Sequence, residues 1–83
     1  MKFVRTEQFK HSYQKLPPLI QRQVDRKLIL LSTNLRHPSL RAKKIQGLKD
    51  IWEARITKSY RFTFQIEGDF IILRHVGSHD KVL

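Results

Sequence analysis

The sequence predicts a small α+β domain, and three observations carry that expectation. Apolar residues recur at helical spacing up to Leu35, then switch to strict alternation from Ile51 onward. Pro17-Pro18 and His37-Pro38 punctuate the first half as helix boundaries. Glu67-Gly68-Asp69 separates two apolar runs as a tight hairpin turn. The predicted order is strand, two helices forming an αα-hairpin, then a three-stranded antiparallel meander, with the helices on one sheet face. Residues 1–83 are read as one domain, because 83 residues leave no room for a second core.

Each element has its own signal. Met1 to Arg5 is a short apolar-centred opening strand. Thr6 is the expected N-cap of the first helix, with Glu7 in the first turn where an acid suits the dipole. Phe9, Tyr13 and Leu16 follow at i, i+4, i+7 as one stripe, which Pro17-Pro18 ends. Ile20, Val24, Leu28, Leu31 and Leu35 give the second helix an apolar face of four turns. His37-Pro38-Ser39 closes it, since a residue before proline avoids the helical region. Residues 39–50 read as a basic connector, with Gly47 at a turn.

Period two then takes over. Trp52, Ala54 and Ile56 alternate with Glu53, Arg55 and Thr57; Lys58-Ser59 turns the chain. Tyr60, Phe62, Phe64 and Ile66 alternate with Arg61, Thr63, Gln65 and Glu67. Phe70 to Val76 is apolar almost throughout, as a strand covered on both faces would be, and Gly77-Ser78 is expected to break it. The Trp52, Tyr60, Phe62 and Phe64 face must be the one under the helices. Glu53, Arg55, Arg61, Thr63 and Gln65 then share the opposite face. Two arginines on adjacent strands could hold a phosphate there, or the face could carry an ordinary cross-strand ion pair such as Glu53 with Arg61.

Charge narrows the partner. The chain holds 17 Lys and Arg against 7 Asp and Glu, a formal charge of +10. All of the excess lies in residues 1–49, and residues 50–83 are neutral. Between Asp25 and Asp50 there are seven basic residues and no acid. Such a field attracts polyanions, which favours nucleic acid over solubility alone. The absence of cysteine excludes a disulfide scaffold, a Cys-ligated zinc site and a thiol nucleophile. No apolar run is long enough to cross a bilayer and no signal peptide is visible, so the expected location is the cytoplasm. Neither metal nor cofactor is expected: His75 and His79 are spaced i, i+4, but Gly77 and the strand before it spoil a helical ligand pair. His11 and His37 read as surface or capping residues, and Trp52 and Tyr60 as core rather than a base-stacking platform.

The runs Lys44-Ile45-Gln46-Gly47-Leu48, Ile51-Trp52-Glu53-Ala54-Arg55-Ile56, Tyr60-Arg61-Phe62-Thr63-Phe64-Gln65-Ile66 and Val76-Gly77-Ser78-His79, in this order, resemble the RelE/ParE superfamily of bacterial and archaeal toxins. The resemblance covers essentially the whole chain. It implies a toxin of a type II toxin–antitoxin system with a protein antitoxin. Its RelE-like branch cleaves mRNA on the ribosome without a metal; its ParE-like branch inhibits DNA gyrase and has no comparable catalytic set. On the RelE-like pattern, Arg61 matches the arginine that stabilises the scissile phosphate. Arg55 falls at a frequently basic position of the neighbouring strand, and His79 matches the catalytic histidine of the YafQ and YoeB types. Leu83 stands where RelE has a tyrosine, and the acidic base of the YoeB type falls near Ala42.

On chemical grounds, metal-free RNA cleavage needs a base for the 2′-hydroxyl, an acid for the departing 5′-oxygen and cations at the phosphate. An imidazole suits either proton role, and His79 is the best candidate, since it follows a Gly-Ser turn at a strand end beside the face bearing Arg61. Asp80 could orient it, and Glu53 could serve as the base if it faces Arg55 and Arg61. Arg41, Lys43, Lys44, Lys49 and Lys58 are expected to bind RNA backbone on mRNA and ribosome rather than do chemistry.

Overall fold

One hydroxyl, that of Thr6, joins the N-terminal strand and the first helix to the C-terminal half of the chain. In the computed structural model, which describes residues 2–79, strand β1 (Lys2–Arg5) leads through Thr6 into helix α1 (Glu7–Gln14). Thr6 Oγ1 accepts from the Phe9 amide (3.1 Å), as an N-cap does, and donates to the Leu73 carbonyl (2.8 Å). One turn later the buried Ser12 Oγ donates to the Phe9 carbonyl and accepts from the Val76 amide (3.2 Å). Helix α1 thus takes over from β1 in covering the outer edge of the strand to which both are bonded, an edge that would otherwise invite foreign pairing.

Helix α2 (Pro18–Thr33) starts on its proline, as expected, but ends four residues before the predicted His37. Ser32 and Thr33 bond back to the carbonyls of Ile29 and Leu30, and Asn34 turns extended while its Oδ1 accepts from the Arg36 amide. Local side-chain bonding outcompetes the next helical turn. Leu35 therefore leaves the helix, although it still packs on the core.

The predicted connector holds structure of its own. Pro38–Leu40 makes a 3₁₀ turn in which His37 Nδ1 accepts from the Ser39 amide, and Leu40 is fully buried. Lys43–Lys44 then forms β2, pairing Lys43 with Glu53 and Lys44 with Trp52 on β3 (Trp52–Arg55). Two lysines have little strand propensity, so only tertiary pairing explains this strand. With β4 (Tyr60–Glu67) and β5 (Phe70–Ser78) the sheet has five strands in the order β1-β5-β4-β3-β2, with β1 parallel to β5 and the rest antiparallel. Gly68, at φ +56, takes the left-handed position of the two-residue β4–β5 turn.

Strand β5 departs from expectation twice. A β-bulge opposite Thr63 and Phe64 leaves Arg74 without a ladder partner, so the buried residues Ile71, Leu73 and Val76 change parity along the strand. Its apolar run reflects that shift rather than cover on both faces, and Phe70 stays 45% exposed. The strand also runs on through Gly77 and Ser78, which pair with Arg61 and Tyr60. The core joins Phe9, Val24, Leu28 and Leu31 from the helices to Ala54, Phe62, Phe64, Ile71, Leu73 and Val76 from the sheet.

Candidate active site

The ladder register builds the site. Arg55 on β3 stands directly opposite Arg61 on β4, and Arg61 stands opposite Gly77 on β5. Like charges facing each other across a ladder are destabilising. Two features hold this pair in place. Arg61 Nε lies 3.8 Å from Glu53 Oε1, with both side chains about 15% exposed (15% and 16%). Arg61 Nη1 donates into the β3–β4 turn, to the carbonyls of Thr57 (2.6 Å), Lys58 (3.0 Å) and Tyr60 (3.0 Å). One edge of the guanidinium is thereby fixed. Gly77 puts no side chain over it on the neighbouring strand. The Arg55 side chain has no hydrogen-bond or ion-pair partner among the described residues.

Six residues close round this rung in a cavity of about 290 Å³: Arg41, Lys43, Glu53, Arg55, Arg61 and His79. Lys43 reaches it because β2 pairs Lys43 with Glu53. Arg41 has φ +47, a left-handed conformation that non-glycine residues adopt mainly where the surroundings force it. His79 follows β5, and its amide donates to the Ser59 carbonyl at 2.7 Å, which stitches the strand end to the β3–β4 turn. Four residues expected to act on substrate and two expected to bind RNA therefore meet in one place.

The other three basic candidates do not. Lys44 pairs with Trp52, and its Nζ sits 5.7 Å from the Trp52 ring centre on the other side of the ladder. Lys49 and Lys58 are exposed in turns and do not line the cavity. Asp80 and Leu83 lie outside the described residues. Lys27, which the sequence did not single out, adds to the positive field. Its Nζ donates to the Ser39 carbonyl (3.2 Å), and burial together with Arg55's charge pulls its pKa below the ordinary lysine value. Its only signal in the sequence is membership of the acid-free stretch. Glu53 is the single carboxylate of the cavity, set among five residues that carry or can carry positive charge. Among the described residues no three His, Asp or Glu side chains group as metal ligands, and no helix is long and apolar enough to cross a membrane.

Solved structures repeat this architecture over nearly the whole chain. The YoeB/ParE toxin from Agrobacterium tumefaciens matches with a TM-score of 0.82 at 18% identity, over 95% of this chain and 99% of that one. The isolated RelE toxin of Escherichia coli matches at 0.74 and 19% identity, over 93% and 82%. This chain has the RelE/ParE toxin fold. A third relative in structure is the RelB–RelE antitoxin–toxin complex from Methanococcus jannaschii, at 0.74 and 22% identity over 96% and 92%. No protein-family model matches the sequence, and no curated protein matches it either. The fold is thus shared with these structures at 18%, 19% and 22% residue identity.

Proposed function

We propose that this protein is the toxin of a type II toxin–antitoxin system and acts as a ribosome-dependent, metal-independent mRNA endoribonuclease. The observation that carries the reading is the Arg55–Arg61 rung: two cations held against each other, with a carboxylate and an imidazole at the same cavity. An arrangement that costs stability and has an open, polar mouth is a ligand site first. In the proposed reaction Arg61 and Arg55 hold the scissile phosphate by charge-assisted hydrogen bonds. Glu53, held 3.8 Å from Arg61 Nε, accepts the 2′-hydroxyl proton. The 2′-oxygen attacks the adjacent phosphorus, the bond to the 5′-oxygen breaks, and His79 donates a proton to that oxygen. The products are a 2′,3′-cyclic phosphate and a 5′-hydroxyl. Arg41, Lys43 and the acid-poor first half of the chain dock on ribosomal and messenger RNA, and an antitoxin protein covers the same basic surface in the resting cell.

The test is primer extension on a defined mRNA in a reconstituted translation system, with and without ribosomes. Codon-phased cuts that require ribosomes, and that vanish with Arg61→Ala or His79→Ala, are expected. Intact mRNA together with loss of gyrase supercoiling would transfer the protein to the ParE-like activity.

A further inference from the structure

We infer that the groove between α1 and the C-terminal end of β5 is a second nucleotide subsite, which takes the RNA residue next to the scissile phosphate. The inference rests on the endoribonuclease reading and extends it to the opposite side of the strand end. The groove encloses about 520 Å³, larger than the arginine cavity and within the range of roughly 300–1,000 Å³ of small-ligand sites. Its polar wall comes from Gln8, His11 and Lys15 on the helical segment and from Tyr60, His75 and Ser78 on the sheet.

Three observations argue for a nucleotide there. First, no carboxylate lines the groove, while Lys15, His11 and Gln8 have no side-chain partners among the described residues. Their polar groups are left for a ligand, and an anion suits them. Second, Tyr60 packs on the core as the sequence suggests, yet it is half-buried and also lines the groove, where an aromatic side chain is the type of surface on which a base stacks. Burial, with Arg74's charge, pushes His75 below its ordinary pKa of 6.5, so it borders the groove as a neutral ring that adds no charge. Third, the two sites are adjacent rungs of one ladder. Tyr60 and Ser78 line the groove, Arg61 lines the cavity, and Gly77, which pairs with Arg61, borders the groove. The His79–Ser59 bond closes the strand end between them, and a polynucleotide that rounds this end meets both.

The test titrates the full chain with a 2′-O-methyl trinucleotide, which binds but cannot be cleaved, and with a nucleoside 3′-monophosphate, which fills the arginine cavity alone. Lys15→Glu is exposed and leaves the core untouched. It is expected to weaken the trinucleotide about tenfold, to flatten its salt dependence by about one ion, and to leave the monophosphate unchanged. Gln8→Ala serves as a second, milder variant. Equal trinucleotide affinity in wild type and both variants, with Arg61→Ala still weakening binding, overturns the subsite and spares the endoribonuclease reading. Normal binding by Arg61→Ala with loss in Lys15→Glu does the reverse. Perturbation of Tyr60 and His11 resonances by an oligoglutamate peptide but not by the trinucleotide would assign the groove to a protein partner and overturn the proposal.

Discussion

Two neighbouring rungs of the β3–β4–β5 ladder solve opposite problems. Ala54, Phe62 and Val76 stand side by side, each no more than 1% exposed, beneath the helices. One residue along, Arg55, Arg61 and Gly77 stand side by side on the other face, with two positive charges opposed and no side chain on the third strand. The first rung lowers the free energy of the fold by removing apolar surface from water. The second raises it, and is tolerated because the first is strong. The backbone hydrogen bonds of the ladder serve both. A rigid, apolar-packed rung next to a charged one keeps the guanidinium groups from drifting apart, which is what a phosphate site requires.

Breaking the apolar rung should give the largest effect. Phe62→Ala leaves a cavity that the tightly packed neighbours Phe64 and Leu73 cannot fill, and should cost about 3–5 kcal/mol in urea unfolding. For a domain this small that is a large share of total stability. Breaking the charged rung should leave folding nearly intact and remove function. Arg61→Ala is expected to slow mRNA cleavage by about 10²–10³-fold, comparable to the loss of one preorganised oxyanion donor, with a melting temperature close to wild type. Arg61→Lys should not restore it, because an ammonium cannot span Glu53 and the turn carbonyls and still face a ligand. If Arg61→Ala unfolds the protein instead, the two rungs are not separable. Arg55→Gln sharpens the comparison further. It removes the like-charge opposition and should raise stability by about 0.2–1 kcal/mol while weakening RNA binding, a change of opposite sign in the two assays.

Much of this contrast was legible in the sequence. Alternation from Trp52 to Glu67 separated the two rungs correctly, because one face of an antiparallel pair is buried and the period is two. Thr6 as a cap and Pro18 as a helix start were equally local. Three features were not local, and a fourth was a local competition that the apolar stripe masked. Strand β2 is two lysines whose strand geometry comes only from pairing with Glu53 and Trp52. The parallel pairing of β1 with β5 joins residues some 68 positions apart, Lys2 with Phe70 and Phe3 with Ile71. The bulge at Arg74 hid the parity change that buries Val76. The end of α2 was set by Ser32, Thr33 and Asn34 side chains competing with the helix. At the site, the alternation foretold which side chains share a face where a strand positions them, as for Glu53, Arg55 and Arg61. It was weaker for lysines: Lys43 and Lys44 are adjacent in sequence, yet strand geometry sends them to opposite faces.

The rung beyond the apolar one tests the comparison most finely. Thr63 and His75 pair across β4 and β5, on the same face as Arg61, but Thr63 is fully buried. Thr63 Oγ1 and His75 Nδ1 are both buried without a hydrogen-bond partner. This rung therefore carries the desolvation cost of polar groups without evident return. Thr63→Val keeps the shape and removes the orphaned hydroxyl, so it should be neutral or stabilising, by up to about 1 kcal/mol. For His75 the expectation is a pH dependence. Burial first, then Arg74's charge, lowers its pKa below 6.5 in the folded chain. Well above pH 6.5 the ring is neutral whether folded or unfolded, and His75 contributes no slope. Below 6.5 the unfolded chain takes up a proton that the folded chain refuses, so stability falls as pH falls, until the folded pKa is also passed. Urea midpoints measured from pH 8 down to pH 5 should show this decline in the wild type and a shallower one in His75→Gln. Parallel profiles would mean that the His75 ring is solvated in the folded chain, and that the third rung belongs with the open, charged one.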